Sequence, residues 1–247
     1  MPGPLLEVCF SPALLEPFRE RKAGNVVVVD ILRATTAMCI AFGYGVASVT
    51  PVGSEPEALR MKQQGWLVAG EKDGVKLPYA DYGNSPQEFR NNDITGKHIA
   101  YSTTNGTRAI HSASGMGQAL IASFVNLEAV CNWLGNDRKD LLILCAGWKD
   151  EFSLEDALFA GAMVDLLTHH HDFIAVNDAA IASAGLWNHS AKRLMKVMSQ
   201  TSHYLRLLAI EGRKGLKYCF FPEKFMTVPI LKEGKLVDIN AVNKTVQ

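Results

Sequence analysis

The sequence predicts an α/β fold of three layers, α/β/α, built around a mixed, mostly parallel sheet. Residues 26–29 (VVVV) and 141–145 (LLILC) are unbroken apolar runs of strand length, the pattern of strands buried on both faces. Strand-like and helix-like stretches alternate between and beyond them, as in successive β-α-β units. Polar residues gather directly after those runs, where open α/β sheets collect ligands beyond the carboxyl ends of their strands.

Taken in order, residues 5–10 predict an edge strand and 12–22 a short amphipathic helix. The valine run ends at Asp30 and passes through Ile31–Thr36 into an apolar helix over 37–42, stopped by Gly43 and Gly45. Residues 46–52 predict a strand. Ser54 with Glu57 has the spacing of a capping box for a helix ending near Gly65. Residues 66–69 form a third strand, followed by Gly70-Glu71-Lys72 and an irregular loop to Tyr82. Ser85, Pro86 and Glu88 fit the N-cap, first and third positions of another helix.

Residues 98–101 predict a strand, 102–107 a turn, and Arg108 onward a helix. Residues 119–122 add a strand that leads through Ser123 and Asn126 into a helix to Trp133, closed by a polar turn over 135–139. Ser153 opens a long helix whose apolar stripe is Leu154, Ala157, Leu158, Gly161, Val164 and Leu167. The chain beyond His169 reads as helical to about Gly212. Short strands follow over 218–221, 227–231 and 235–237, the last two turning at Glu233-Gly234. Residues 1–247 are expected to form a single domain or two intimate subdomains divided near 115–140.

The composition narrows the class. The chain has 247 residues, 48% hydrophobic and 20% charged, as in ordinary globular proteins. Lys+Arg and Asp+Glu both number 25, so no global field favours nucleic acid or a membrane surface, and any anion specificity must be local. Five cysteines lie far apart without a CxxC pair, which points to reduced, buried thiols rather than disulfides or a zinc site. The start lacks a basic leader and no apolar run reaches membrane-spanning length. The expectation is a cytoplasmic protein acting on a small molecule, with a homo-oligomer left open.

Four strand ends carry the candidate chemistry: Asp30-Arg33-Thr35-Thr36, Glu71-Lys72, Thr103 to Arg108, and Lys149-Glu155-Asp156. Asp30 stands out, because an acid directly after four valines does nothing for the strand. Carboxylates and hydroxyls without His/Cys ligand spacing suit a hard cation, Mg²⁺, which works beside phosphate. Asp30, Glu71, Glu155 and Asp156 are the candidate metal ligands, and Asp30, Glu71 and Arg33 the candidate catalytic groups. Asp156 also fits a cap pair with Ser153, and Glu155 suits the positive end of a helix. Arg33, Lys72, Arg108 and Lys149 are the candidate anion-binding cations. The turn Thr103-Thr104-Asn105-Gly106-Thr107 aims N–H groups and a helix N-terminus at an anion. Asn84 is a candidate ligand, and Ser85 a ligand or a cap. His169-His170-His171 ends a helix, where imidazoles favour the negative pole. No GxxxxGK[ST] loop, GxSxG elbow or HExxH pair is present.

Five motifs in one order carry a resemblance: DILRATTA (30–37), GEK (70–72), YGNSP (82–86), STTNGTRA (102–109) and CAG…FSLEDALFAG (145–161). The chain resembles the 2-phosphosulfolactate phosphatase (ComB) family from about Val26 to Gly161, and its tail around Tyr218-Cys219 and Val228-Pro229 is similar to the family's end. The resemblance implies a Mg²⁺-dependent phosphatase that converts 2-phospho-3-sulfolactate to 3-sulfolactate and phosphate, a step towards coenzyme M. Lys72 stands where the family has arginine, and Trp148-Lys149-Asp150 is bulkier and more charged than the family loop. The rival readings are a phosphatase or phosphotransferase acting on another small phosphorylated acid, and a non-catalytic anion-binding protein.

Overall fold

The computed structural model describes residues 2–21, 23–220 and 224–240. In chain order the first elements are β1 (Leu5–Cys9), α1 (Glu16–Arg19), β2 (Asn25–Val29), α2 (Ala34–Gly43), β3 (Ser48–Pro51), α3 (Glu55–Gln63) and β4 (Leu67–Lys72). Next come β5 (Val75–Lys76), β6 (His98–Ser102), α4 (Gly106–Ala113), β7 (Gln118–Ala122), α5 (Leu127–Asp137), β8 (Leu141–Cys145) and α6 (Leu154–His170). The last are β9 (Ile174–Ala175), α7 (Asp178–Ser190), α8 (Leu194–Met198), α9 (Ser202–Lys217), β10 (Pro229–Lys232) and β11 (Lys235–Asp238).

The strands form one large mixed sheet in the order β5-β4-β6-β3-β11-β10-β7-β2-β8-β1-β9. One parallel block runs β7-β2-β8-β1-β9, and a second comprises β3, β6 and β4. The β10–β11 hairpin joins them, antiparallel to β7 on one side and to β3 on the other. Successive residues of β2 face opposite sides of the sheet. Val27 and Val29 pack with the α5, α6 and α7 side, and Val26 and Val28 with α2 and α4. Helix α2 is buried along nearly its whole length, which explains its all-round apolar sequence in place of an amphipathic stripe.

The sheet is curled. Laid flat, β6 and β2 would be separated by five strand spacings, roughly 24 Å. Yet a Cβ added to Gly106, just after β6, would lie 2.9 Å from Asp30 Oδ2, just after β2, and 2.4 Å from Ala34 Cβ. One core shared by α2, α4, β2, β3 and β6 fills the concave side. Glycine at 106 is what lets the two strand ends meet.

Several local expectations change. The stretch after His169 is not one helix: a turn and β9 interrupt it before α7, α8 and α9. Tyr218–Phe220 continues as turn after α9 instead of forming a strand, and residue 221 lies outside the described residues. Strand β4 runs on to Lys72 because it pairs with β5 in a tight hairpin inside the expected loop. Residues 12–19 form a 3₁₀ turn and one turn of α-helix, and Lys22 lies outside the described residues. Helix α5 continues to Asp137, ended by Arg138 in the left-handed conformation (φ 54°). Ser54 and Ser85 make no side-chain cap bond. Glu57 and Glu88 accept instead from the N–H groups of Gly53 and Gly83, at 3.2 and 2.8 Å. All five cysteines are buried and unpaired, and among the described residues no helix is long and apolar enough to cross a membrane.

Candidate active site

Four strand ends open onto one cleft, as the sequence led us to expect. Asp30 and Arg33 reach it from β2, Glu71 from β4, Thr104 and Asn105 from β6, and Trp148 and Lys149 from β8, with Asn84 beside them. His203, Arg206 and Leu207 of α9 close the remaining side.

Asp30 is buried, at 7% exposure, and the backbone N–H of Ala34 donates to its carboxylate. Burial pushes the carboxyl up to about 6 against an ordinary 3.8, with Glu71 and Glu155 adding to the rise and His203 opposing it. Arg33 is 3% exposed and pairs with Glu211, and its guanidinium donates to the Gly74 carbonyl at 3.3 Å. Its Nε has no hydrogen-bond partner among the described residues, nor has Nε of Arg206. Buried guanidinium N–H groups without a protein partner beside a cleft are open to an acceptor from water or a ligand. Both oxygens of Glu71 accept backbone N–H groups, from Thr104 at 3.2 Å and Gly74 at 2.5 Å. Glu71 therefore ties the loop after β6 to the β4–β5 turn. Asn84 Oδ1 accepts from the buried Tyr101 hydroxyl at 2.6 Å, which fixes the amide in the cleft wall.

The loop after β8 is a two-residue turn. Trp148 and Glu151 exchange backbone hydrogen bonds at 3.1 and 3.0 Å, and Lys149 and Asp150 between them have φ of 54° and 66°. Two side chains in the left-handed region need external support. Ser11 Oγ donates to the Asp150 carbonyl at 2.9 Å, and Arg108 forks onto the Asp150 carboxylate. Arg108, expected to grip an anion, is not among the cleft-lining residues; it pairs with Asp150, braces this turn and holds the Asp150 carboxyl below the ordinary value. The turn presents Trp148, with Lys149 and Arg206 each 5.3 Å from its ring centre.

Other expected residues frame the site without lining it. Thr35 Oγ1 bonds the backbone of Asp30 and Thr36 Oγ1 the carbonyl of Ile31, all at 3.0 Å, so both shape the first turn of α2. Thr103 and Thr107 bond each other's N–H groups at 3.1 and 3.2 Å, so both hydroxyls shape the start of α4. Lys72 is exposed outside the cleft, and Ser85 lies beyond its lining. Asp156 is buried, and its two oxygens accept from Ile31 N at 2.8 Å and Gly147 N at 3.2 Å, clamping the ends of β2 and β8 together. The expected four-carboxylate metal set therefore divides: Asp30 and Glu71 line the cleft, while Glu155 and Asp156 are engaged behind it. No group of three or more His, Cys, Asp or Glu poised to hold a metal occurs among the described residues. His169 and His170 end α6 and His171 is its C-cap, at the opposite end of the helix from Glu155 and Asp156.

Sequence reasoning missed the residues of α9. Glu155, 2% exposed, holds His203 through Oε1–Nδ1 at 2.6 Å, and the His203 ring stacks on Trp148 with centroids 5.3 Å apart and planes 13° apart. Arg206 donates to the Asp73 carbonyl at 3.0 Å. None of His203, Arg206 or Glu211 follows a strand or sits in a motif, so no local sequence signal marks them.

Residues 9–234 match the family model described as 2-phosphosulpholactate phosphatase. The chain is 34% identical over 224 residues to a protein of Thermotoga petrophila, covering 91% of this chain and 96% of the relative. It is 34% identical over 220 residues to a protein of Caldanaerobacter subterraneus subsp. tengcongensis, covering 87% and 91%. A Carboxydothermus hydrogenoformans protein is 33% identical over 236 residues, covering 94% and 96%. All three relatives are described as probable 2-phosphosulfolactate phosphatases.

Proposed function

We propose, since this chain belongs to the 2-phosphosulfolactate phosphatase family, that it hydrolyses 2-phospho-3-sulfolactate to 3-sulfolactate and phosphate, a step of the coenzyme M type, with Mg²⁺ bound in its cleft. Membership makes the protein a phosphoric monoester hydrolase. The observation that carries the substrate is the gathering of Arg33, Lys149 and Arg206 around one cleft, two of them with unpaired Nε atoms. A molecule bearing phosphate, carboxylate and sulfonate needs such separated cations, and a mono-anion does not.

Arg33 is placed to grip the phosphate. It is buried, fixed by Glu211 and next to Asp30, so its charge acts where water screens little. Arg206 and Lys149, on the Trp148 side, suit the carboxylate and sulfonate. The N–H groups at the start of α4 add positive potential above Asp30.

The donors fit a hard cation. Asp30 is a buried carboxylate held above its ordinary range, the condition a divalent ion would reverse, and Glu71 lies near enough to raise it further. Mg²⁺ commonly takes one or two carboxylates and completes its shell with water and substrate phosphate. Asp30 and Glu71 would hold it, and bound there it would neutralise phosphate charge. Phosphoryl transfer needs mainly positioning and charge stabilisation, so the remaining work of these residues is to fix the ester in line with an attacking water.

The test is phosphate release from 2-phospho-3-sulfolactate, from the analogue without the sulfonate, and from other small phosphoesters, with EDTA or Mg²⁺. Turnover that needs Mg²⁺ and falls about 10- to 100-fold without the sulfonate, the worth of one charged hydrogen bond, is expected. Equal turnover without the sulfonate would assign another substrate, and release of no phosphate from any ester would remove the activity.

A further inference from the structure

Hydrolysis of an alkyl phosphate leaves an alkoxide that needs a proton, and neither Arg33 nor a metal-holding Asp30 offers one. We propose that His203, oriented by Glu155, donates that proton to the ester oxygen as it leaves phosphorus. The inference rests on the phosphatase reading and adds the group that completes it.

Three contacts carry it. Nδ1 of His203 is engaged by Glu155 at 2.6 Å, so Nε2 is the nitrogen left for the cleft that His203 lines. Trp148 stacks on the ring face at 5.3 Å, so the imidazole is held by an edge and a face together. Glu155 is buried in the first turn of α6, and among the described residues no other hydrogen bond or ion pair engages it. Its neighbour Asp156 clamps two strands, whereas Glu155 does nothing visible for the fold except hold this ring. Burying a carboxylate against one histidine is a weak way to stabilise a fold, but it is a recurrent way to fix an imidazole's tautomer and direction. The charged groups around the ring are Glu155, Asp30 across the cleft and, over the Trp148 ring, Lys149 and Arg206.

The step balances. Water oxygen bonds to phosphorus, the bond from phosphorus to the ester oxygen breaks, and its electron pair stays on that oxygen. The proton on Nε2 passes to the same oxygen and forms the hydroxyl. The phosphate formed from the water releases a proton, which returns to His203 through solvent. His203 is the catalytic residue in this step, and Glu155 is a positioning residue.

Leaving-group dependence tests it. His203→Asn keeps an amide donor where Nδ1 meets Glu155 but has nothing in place of Nε2. Its kcat should fall at least ~10²-fold on alkyl phosphates, the usual worth of general acid catalysis, and far less on 4-nitrophenyl phosphate, whose leaving group needs no proton. Added imidazole should restore part of the alkyl activity in His203→Gly, and Glu155→Gln should lower kcat with little change in KM. Equal losses on both esters by folded His203→Asn would overturn the role of His203 while leaving the phosphatase standing. Wild-type protein that hydrolyses neither ester would overturn both.

Discussion

Arg33 and Glu211 form a buried ion pair that is incomplete at both ends: Arg33 Nε and Glu211 Oε2 have no hydrogen-bond partner among the described residues. The pair joins the loop after β2 to α9, next to the helix's interruption at Gly212 (φ 69°). Removing one member of a buried pair leaves the other charge uncompensated, at roughly 3–5 kcal/mol. Glu211→Gln, which keeps the volume, should therefore melt well below the wild type. If Arg33 is the phosphate hook, millimolar phosphate should restore much of that loss, because an anion replaces the missing carboxylate. A variant whose Tm ignores phosphate would make the pair purely structural.

Asp30 should couple stability to pH. Its folded-state pKa, about 6, lies above the ordinary 3.8, so the folded protein holds this proton more tightly than the unfolded chain. That contribution is complete below pH 3.8 and is lost as pH rises through about 6. In EDTA, Asp30→Asn should be more stable than wild type at pH 8, by about 3 kcal/mol, and the gain should vanish in acid. Turnover should fall at least ~10²-fold. Mg²⁺ should raise the Tm of the wild type and leave that of the variant alone. Thermal melts across pH decide it: a variant less stable than wild type at pH 8 would show that the carboxylate is already compensated.

Glu71→Gln separates two roles. Glutamine has one acceptor oxygen, so it can hold Thr104 or Gly74, and its NH₂ must face the other N–H donor. One of the two loops should come free at a cost of roughly 1–3 kcal/mol. Amide exchange should speed up at residues 73–74 or 103–105, together with a drop in kcat/KM. Unchanged exchange with lost activity would point to a direct part in catalysis alone.

Two arginines should behave differently. Arg108 lies in a motif but forms an exposed pair with Asp150, and such pairs contribute little. Arg108→Ala should change kcat/KM by less than about tenfold, acting through the Lys149-Asp150 turn. Arg206→Ala removes an orphan N–H from the cleft and should lower kcat/KM by roughly 10- to 100-fold. Kinetics in the reverse order would return the anion site to the loop before α4.

Much of the fold was legible because its strands are extreme. The valine run and LLILC have the length and unbroken apolar character of fully buried strands, and both lie side by side in the sheet. The polar residues after them could be placed on a rim for the same reason, which is how Asp30, Arg33, Glu71, Asn84, Thr104, Asn105 and Lys149 came to one cleft. Hidden from sequence were matters of long-range packing. Nothing local reveals that α9 crosses the rim with His203, Arg206 and Glu211, or that Arg108 pairs with Asp150. Threonines 35, 36, 103 and 107 are ambiguous in sequence, since a hydroxyl that bonds a ligand and one that bonds a backbone look alike until the backbone is placed.

The β10–β11 hairpin has a consequence for biosynthesis. It is the wedge between two parallel blocks, yet it leaves the ribosome after every other strand of the sheet. Until residues 229–238 emerge, β3 and β7 present open edges, and the groups on opposite sides of the cleft, Asp30 with Glu71 among them, belong to halves that are not yet zipped together. Release of the chain short of residue 229 should give a product that keeps helices but aggregates through those edges. Assembly of the cleft thereby waits for residues 229–238.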